Sequence, residues 1–349
     1  MTDATSTSLA TPDAAEEFLD RRSPVQRLQT ILHTYPWLSP ATVLVLAVVI
    51  FTAITAGSDA EFASASNFGT IAQQTAITGT LAIGQTLIIL TAGIDLSCGA
   101  IMIFSSMVMA KTAFENGVPG WLSIILAIAV GAAAGAFNGY LVTKVGLPPF
   151  IVTLGTLGIF TSLTLLYASG RTVRERELAP GLNWLGTPID IAGFRITYGV
   201  LAMLAMYGIF AYVLRYTAWG SHVYAVGDDP DAARLAGIQV NRVLLSVYLV
   251  AGVIFAIAGW VTIGRVGAAS PNSGIDANLD SITAVVIGGT SLFGGRGRVM
   301  GSLIGALIVG VVDFGLSIAG LDQAYKQLAI GALIIVAVTA DQWIRRARS

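Results

Sequence analysis

Charge is scarce in this chain of 349 residues: Asp, Glu, Lys and Arg together make up 11% of it, against about 25% in a soluble domain. The residues of redox and metal chemistry are scarcer still. Cys98 is the only cysteine, which excludes an internal disulfide and a thiolate-rich metal site. The two histidines, His33 and His222, lie outside the long apolar runs, so there is no HExxH site and no intramembrane histidine relay. None of the three lysines, Lys111, Lys144 and Lys326, follows a glycine, which excludes a phosphate loop of the GxxxxGK[ST] type. The net charge is −1 and no basic cluster is long enough to hold a phosphate backbone.

Apolar residues are plentiful instead, at 55%. A surface so poor in charge faces lipid, and the fold class that follows is an all-α polytopic membrane protein. Ten segments come near the roughly 20 apolar residues that cross a bilayer: residues 37–56, 69–91, 97–113, 120–142, 149–168, 197–216, 243–263, 279–293, 299–319 and 327–343. The eighth is short and interrupted by Gly288-Gly289, which predicts a broken or partial crossing and a count of nine or ten. Residues 1–35 are rich in Ala, Ser and Thr and acidic, with no early apolar core, and read as a disordered tail rather than a signal peptide. The membrane body spans 36–343, and 344–349 form a second short tail.

With ten spans and an internal amino terminus, 12 of the 19 Lys and Arg residues fall inside and 7 outside, which satisfies the positive-inside bias. Both termini and the polar island Gly220–Asn241 are then cytoplasmic. Within that island Asp229 caps a short helix that Pro230 starts and Gly237 stops. Asp229, Pro230, Asp231, Ala232, Ala233, Arg234, Leu235, Ala236 and Gly237 therefore form a two-turn helix outside the bilayer, placed to touch another protein.

Glycines at four-residue spacing, Gly131/Gly135/Gly139 and Gly297/Gly301/Gly305, predict close helix contacts. Gly93-Ile94-Asp95 before the third span and Gly274-Ile275-Asp276 before the eighth face opposite sides, as an inverted repeat of spans 2–5 onto 7–10 requires. Ionisable groups near membrane depth are Asp95, Asp280 and Asp313. Asp95 or Ser97 also suits a cap on the third span. The uncharged polar residues Gln73, Gln74, Gln85, Asn138, Thr153 and Thr156 either join helices or, with Asp95 and Ser97, line a wet pathway. A neutral polyol needs such a lining, because amides and hydroxyls exchange hydrogen bonds with it without burying a charge.

Four segments in order, Gly93-Ile-Asp-Leu-Ser-Cys-Gly99, Leu147-Pro-Pro-Phe-Ile-Val-Thr-Leu-Gly-Thr156, Gly227-Asp-Asp-Pro-Asp-Ala-Ala-Arg-Leu-Ala-Gly-Ile238 and Ala284-Val-Val-Ile-Gly-Gly-Thr-Ser-Leu-Phe-Gly-Gly-Arg-Gly297, resemble the membrane permeases of bacterial ABC importers for monosaccharides, the ribose, xylose and fructose type. The resemblance covers about residues 68–343. It implies a homodimer in the inner membrane, two cytoplasmic ATPase subunits that bind the ATP, an extracytoplasmic sugar-binding protein, no cofactor in this chain and no enzymatic activity. It also makes Asp229–Gly237 the helix that couples to the ATPase. Two departures stand out: Asp228-Asp229 replaces a common Gly-Asn, and Asn278 replaces a common acidic residue. An ion-coupled secondary sugar transporter working through Asp95 and Asp313 is the alternative that composition allows.

Overall fold

A computed structural model describes residues 38–56, 61–191, 193–274 and 276–346. The tail expected over 1–35 lies outside the described residues, as do 347–349 of the second tail. Helices dominate: α1 (Leu38–Thr55), α2 (Ala65–Leu90), α3 (Cys98–Asn116), α4 (Gly120–Tyr140), α5 (Pro149–Ala168), α6 (Tyr198–Tyr216), α7 (Ala218–Asp228), α8 (Pro230–Leu235), α9 (Val240–Val266), α10 (Ala277–Ile287), α11 (Val299–Ile318) and α12 (Gln323–Arg346). A π-helical turn, Leu141–Val145, prolongs α4.

Seven of these, α1, α3, α4, α5, α6, α9 and α11, are long and apolar enough to cross a membrane. The other three expected spans correspond to α2, α12 and α10. At 26 residues α2 has the length, but its second half, from Gly79 to Leu90, is buried without interruption. Protein rather than lipid surrounds it, so it carries Gln and Thr freely. At 24 residues α12 also has the length to cross, and Ala324–Val336 within it form an apolar stretch. The eighth segment is the partial one: α10 stops at Ile287 after 11 residues, about half the hydrocarbon thickness, and an irregular glycine loop follows. That loop satisfies its own backbone, with Thr290 N–H donating to Val285 C=O at 3.2 Å and Ser291 N–H to Arg296 C=O at 2.9 Å. Non-helical backbone at this depth requires such closure or burial in protein.

The contact partners have the symmetry of an inverted repeat. α9 packs on α4 and α3, and α2 packs on α11 and α10, while α2 and α9 pack on each other. Direction is fixed by the glycines. A Cβ on Gly131 would sit 2.5 Å from Gly252 C=O, and one on Gly139 3.0 Å from Leu245 Cδ1, so α4 and α9 run antiparallel at backbone contact. Gly84 of α2 meets Phe255 and Gly93 meets Tyr248, so α2 and α9 are antiparallel too. Gly301 and Gly305 of α11 lie on the backbone of Gly288 and Ala284. Large buried side chains, among them Leu81, Leu87, Ile88, Ile101, Tyr248 and Phe255, fill the centre where α2, α3 and α9 meet.

Two small antiparallel sheets, not expected from the sequence, sit in the segments joining α5 to α6 and α9 to α10. Strand β1 (Val173–Arg174) pairs with β4 (Ala268–Ala269), and β2 (Pro188–Ile191) with β3 (Phe194–Thr197), Ile189 opposite Ile196. The hairpin is tied to α2, because Gln73 Nε2 donates to Arg195 C=O at 2.8 Å. Exposed apolar side chains line α1 (Leu46, Val49, Ile50, Ile54) and α5 (Ile151, Leu154, Leu166), as faces turned to lipid or to another apolar surface require.

Candidate functional site

The turn between α2 and α3 gathers five of the sequence-predicted polar residues into one buried network. Asp95, 1% exposed, accepts at Oδ1 from both the backbone N–H and the hydroxyl of Ser97, each at 2.6 Å. Asn138 of α4 donates to Ser97 Oγ at 2.8 Å, and Thr153 of α5 donates to Ile94 C=O at 2.9 Å. Gln85 of α2 donates to Asp95 C=O and to Cys98 Sγ. Thr156 lies one turn further along α5, also buried, its hydroxyl turned to Thr153 C=O at 3.4 Å. The turn is thus held from three helices, which suits a fixed frame rather than a mobile loop.

Neither Asp95 nor Ser97 caps α3 with its side chain, as the sequence suggested. The cap comes from the other repeat: Asn278 Oδ1 of α10 accepts from Gly99 N–H at 2.6 Å and from Cys98 Sγ at 3.3 Å. The starts of α3 and α10 therefore meet, Cys98 and Gly99 against Asn278. Sequence reading noted Asn278 only as a departure. Its signal was an amide one residue beyond the second turn, at a position able to reach the first.

Gln74 belongs elsewhere. It lines a cavity of about 640 Å³ with residues of α2, α10, α11 and α12 and the end of α9, among them Arg265, Asp276, Asp280, Asp313, Lys326 and Gln327. Lys326 Nζ lies 3.3 Å from Asp313 Oδ1, and Gln327 Nε2 donates to Asp276 Oδ1 at 3.2 Å. Of the three acids singled out near membrane depth, Asp280 and Asp313 share this cavity and Asp95 does not. Arg265 lies in the last turn of α9 and Lys326 in the first turn of α12.

The third feature is the polar island. Asp229 Oδ1 accepts from the N–H groups of Asp231 and Ala232 at 2.9 and 3.0 Å, Pro230 opens α8, and Gly237 takes φ of +84°, which favours glycine. Arg234 pairs with Asp231 at 2.7 Å, and Leu235 is 91% exposed. Beside α8 a cleft of about 440 Å³ collects Lys144, Arg234 and Arg242. The island is not all loop, however. α7 docks on the body through buried Val223, Val226 and Gly227, and Trp219 Nε1 donates to Ser246 of α9 at 2.8 Å. Gly227 lies directly on Leu90 C=O and Gly295 N, while Gly295 N–H donates to Leu90 C=O at 2.9 Å. Tyr224, whose hydroxyl is pushed by burial above the usual phenol range, stays protonated and donates to Gly297 C=O at 2.9 Å. The end of α7, the end of α2 and the glycine loop after α10 are therefore joined backbone to backbone.

Comparison with known proteins accounts for this architecture. Residues 67–338 match the family described as branched-chain amino acid transport system / permease component. The chain is 48% identical over 344 residues to the fructose import permease protein of Rhizobium meliloti, covering 98% of this chain and 93% of that protein. It is 38% identical over 282 residues to the ribose import permease protein of Bacillus subtilis (81% and 86% covered), and 32% identical over 356 residues to the xylose transport system permease protein of Haemophilus influenzae (85% and 94% covered). With most of its length matched and its helices arranged as antiparallel repeats around buried turns, this multi-pass membrane protein belongs to that family of transport-system permeases.

Proposed function

We propose that the chain is the permease subunit of an ATP-driven importer for a monosaccharide, that two copies form the pathway in the bacterial inner membrane, and that α8 seats in a cytoplasmic ATPase subunit. Both termini are cytoplasmic, and an extracytoplasmic binding protein delivers the sugar from the opposite side. The sugar class rests on the relatives, which import fructose, ribose and xylose. ATP-driven coupling, rather than coupling to an ion gradient, rests on one observation: α8 is a capped helix that packs on the body by Ala233 and leaves Leu235 exposed. An apolar side chain presented this way, rimmed by Asp231, Arg234 and the cationic cleft, has the anatomy of a protein-binding anchor.

In this reading ATP closes the partner ATPase, the movement enters at α8, and α7 passes it on through Gly227 to the end of α2 and the glycine loop. From there it reaches both repeats, since α2 leads into the Asp95 turn and the loop follows α10. Gln74 lies on the pathway itself. Gln85, Asp95, Ser97, Asn138, Thr153 and Thr156 act as the frame behind it, and Gln73 as the anchor of the outer hairpin. The ion-coupled alternative would use Asp95, whose Oδ1 accepts from two donors, and Asp313, which pairs with Lys326.

Reconstitution tests the proposal. Liposomes holding the chain with its ATPase and binding protein should accumulate D-fructose, D-ribose or D-xylose only when ATP is supplied. Uptake by the chain alone down a proton or sodium gradient, or accumulation of leucine in place of sugars, would refute it.

A further inference from the structure

The cavity between α2, α10, α11 and α12 differs from a packing void in its unused hydrogen-bonding capacity. Gln74 Oε1 and Asp280 Oδ1, both acceptors, and Arg265 Nε, a donor, are buried without a partner in the protein. Whatever fills the cavity, water or solute, therefore finds both donors and acceptors on its wall. Its charge is nearly balanced, with Arg265 and Lys326 against Asp276, Asp280 and Asp313, so neither an anion nor a cation is strongly favoured. Among the described residues no three metal-binding side chains converge. Apolar Ile77, Val309 and Ile330 supply the rest of the wall, and about 640 Å³ lies within the roughly 300–1,000 Å³ of small-molecule sites. The repeat itself does not dictate this space. In the first repeat Phe104 of α3 and Phe160 of α5 stack 6.4 Å apart, whereas their counterparts α10 and α12, in contact through Gln327 and Asp276, both line the cavity.

We infer that this cavity is a resting site for a neutral polyhydroxylated solute of monosaccharide size, which donates hydrogen bonds to Gln74 and Asp280 and accepts one from Arg265. The inference deepens the proposed sugar-permease function and rests on it. Hydroxyl groups both give and accept hydrogen bonds, and the C–H face of a sugar ring suits the apolar patch.

The test uses the full chain in membranes. Native Cys98 is fully buried and silent to a water-soluble thiol reagent, so Leu279→Cys on the cavity wall and Leu235→Cys on α8 report separately. Saturating D-fructose, D-ribose, D-xylose or D-allose should slow labelling of Leu279→Cys several-fold and leave Leu235→Cys unchanged, with glycine betaine as the osmotic control. No protection by any of the four, or equal protection at both positions, overturns the inference. In the reconstituted importer Asp280→Asn and Gln74→Leu should lower maximal uptake roughly tenfold at an unchanged half-saturating sugar concentration. Wild-type uptake by both variants overturns this site while leaving the permease reading intact. A wild-type assembly without ATP-driven uptake overturns the permease reading and the site together.

Discussion

Asn278 shows how a single side chain joins the two repeats, and Asp95 how one holds a turn within its own. Asp95 is an acceptor for Ser97, and an amide oxygen does that equally well. Asp95→Asn should therefore retain transport, whereas Asp95→Ala leaves the Ser97 donors buried and unpaired and should cost about 1–3 kcal/mol, read as a lower midpoint of thermal unfolding in detergent. A transporter that carried protons on Asp95 would lose uptake in both variants. Asn278 is likewise an acceptor, for Gly99 N–H, so Asn278→Asp should be tolerated and Asn278→Leu should lose roughly 0.5–2 kcal/mol as a missing helix cap. Equal stability of the two variants would show that the cap carries no weight. The partner of Gly99 was hidden from sequence reading because it lies 179 residues away, and only the inverted packing brings it there.

At the scale of elements, the proposed mechanism gives docking to α8 and transmission to the α7 junction. Arg234→Glu reverses a charge beside Leu235 and inside the cationic cleft, so it should weaken assembly with the ATPase or uncouple hydrolysis from uptake while the chain remains folded. Normal assembly and uptake in that variant would remove α8 from the interface. Gly227→Val acts differently, since any side chain there collides with Leu90 C=O and Gly295. It should leave the α8 surface able to bind the ATPase and still abolish uptake, measured as co-purification against transport. α8 was legible because its signals are local, a capping aspartate, a proline and a stopping glycine. The docking of α7 was not, because Val223, Val226 and Gly227 show no apolar run long enough to reveal a buried face. The hairpin Pro188–Thr197 carried its own signal in the alternation of Ile189, Ile191, Phe194 and Ile196, outweighed by the expectation of spans. The half-length α10 was legible through Gly288-Gly289.

For the whole molecule, antiparallel α2 and α9 mean that the two repeats enter the bilayer from opposite sides, and every crossing between them then has a fixed direction. α2, α3, α4, α5 and α6 alternate, so the segment after α6 emerges on the side opposite the start of α2. If that side is cytoplasmic, as proposed from the excess of Lys and Arg, Ser221 and Leu235, both exposed, face the proposed ATPase, while exposed Trp184 and the hairpin's Phe194 face the proposed sugar-binding protein. Ser221→Cys should consequently react with a membrane-impermeant thiol reagent in inside-out vesicles and not in intact cells, and Phe194→Cys should show the reverse. The buried state of Cys98 leaves no native thiol to confuse the readout. Reaction of Ser221→Cys only in intact cells would place α8 outside, away from any ATP, and the coupling mechanism would fall with it.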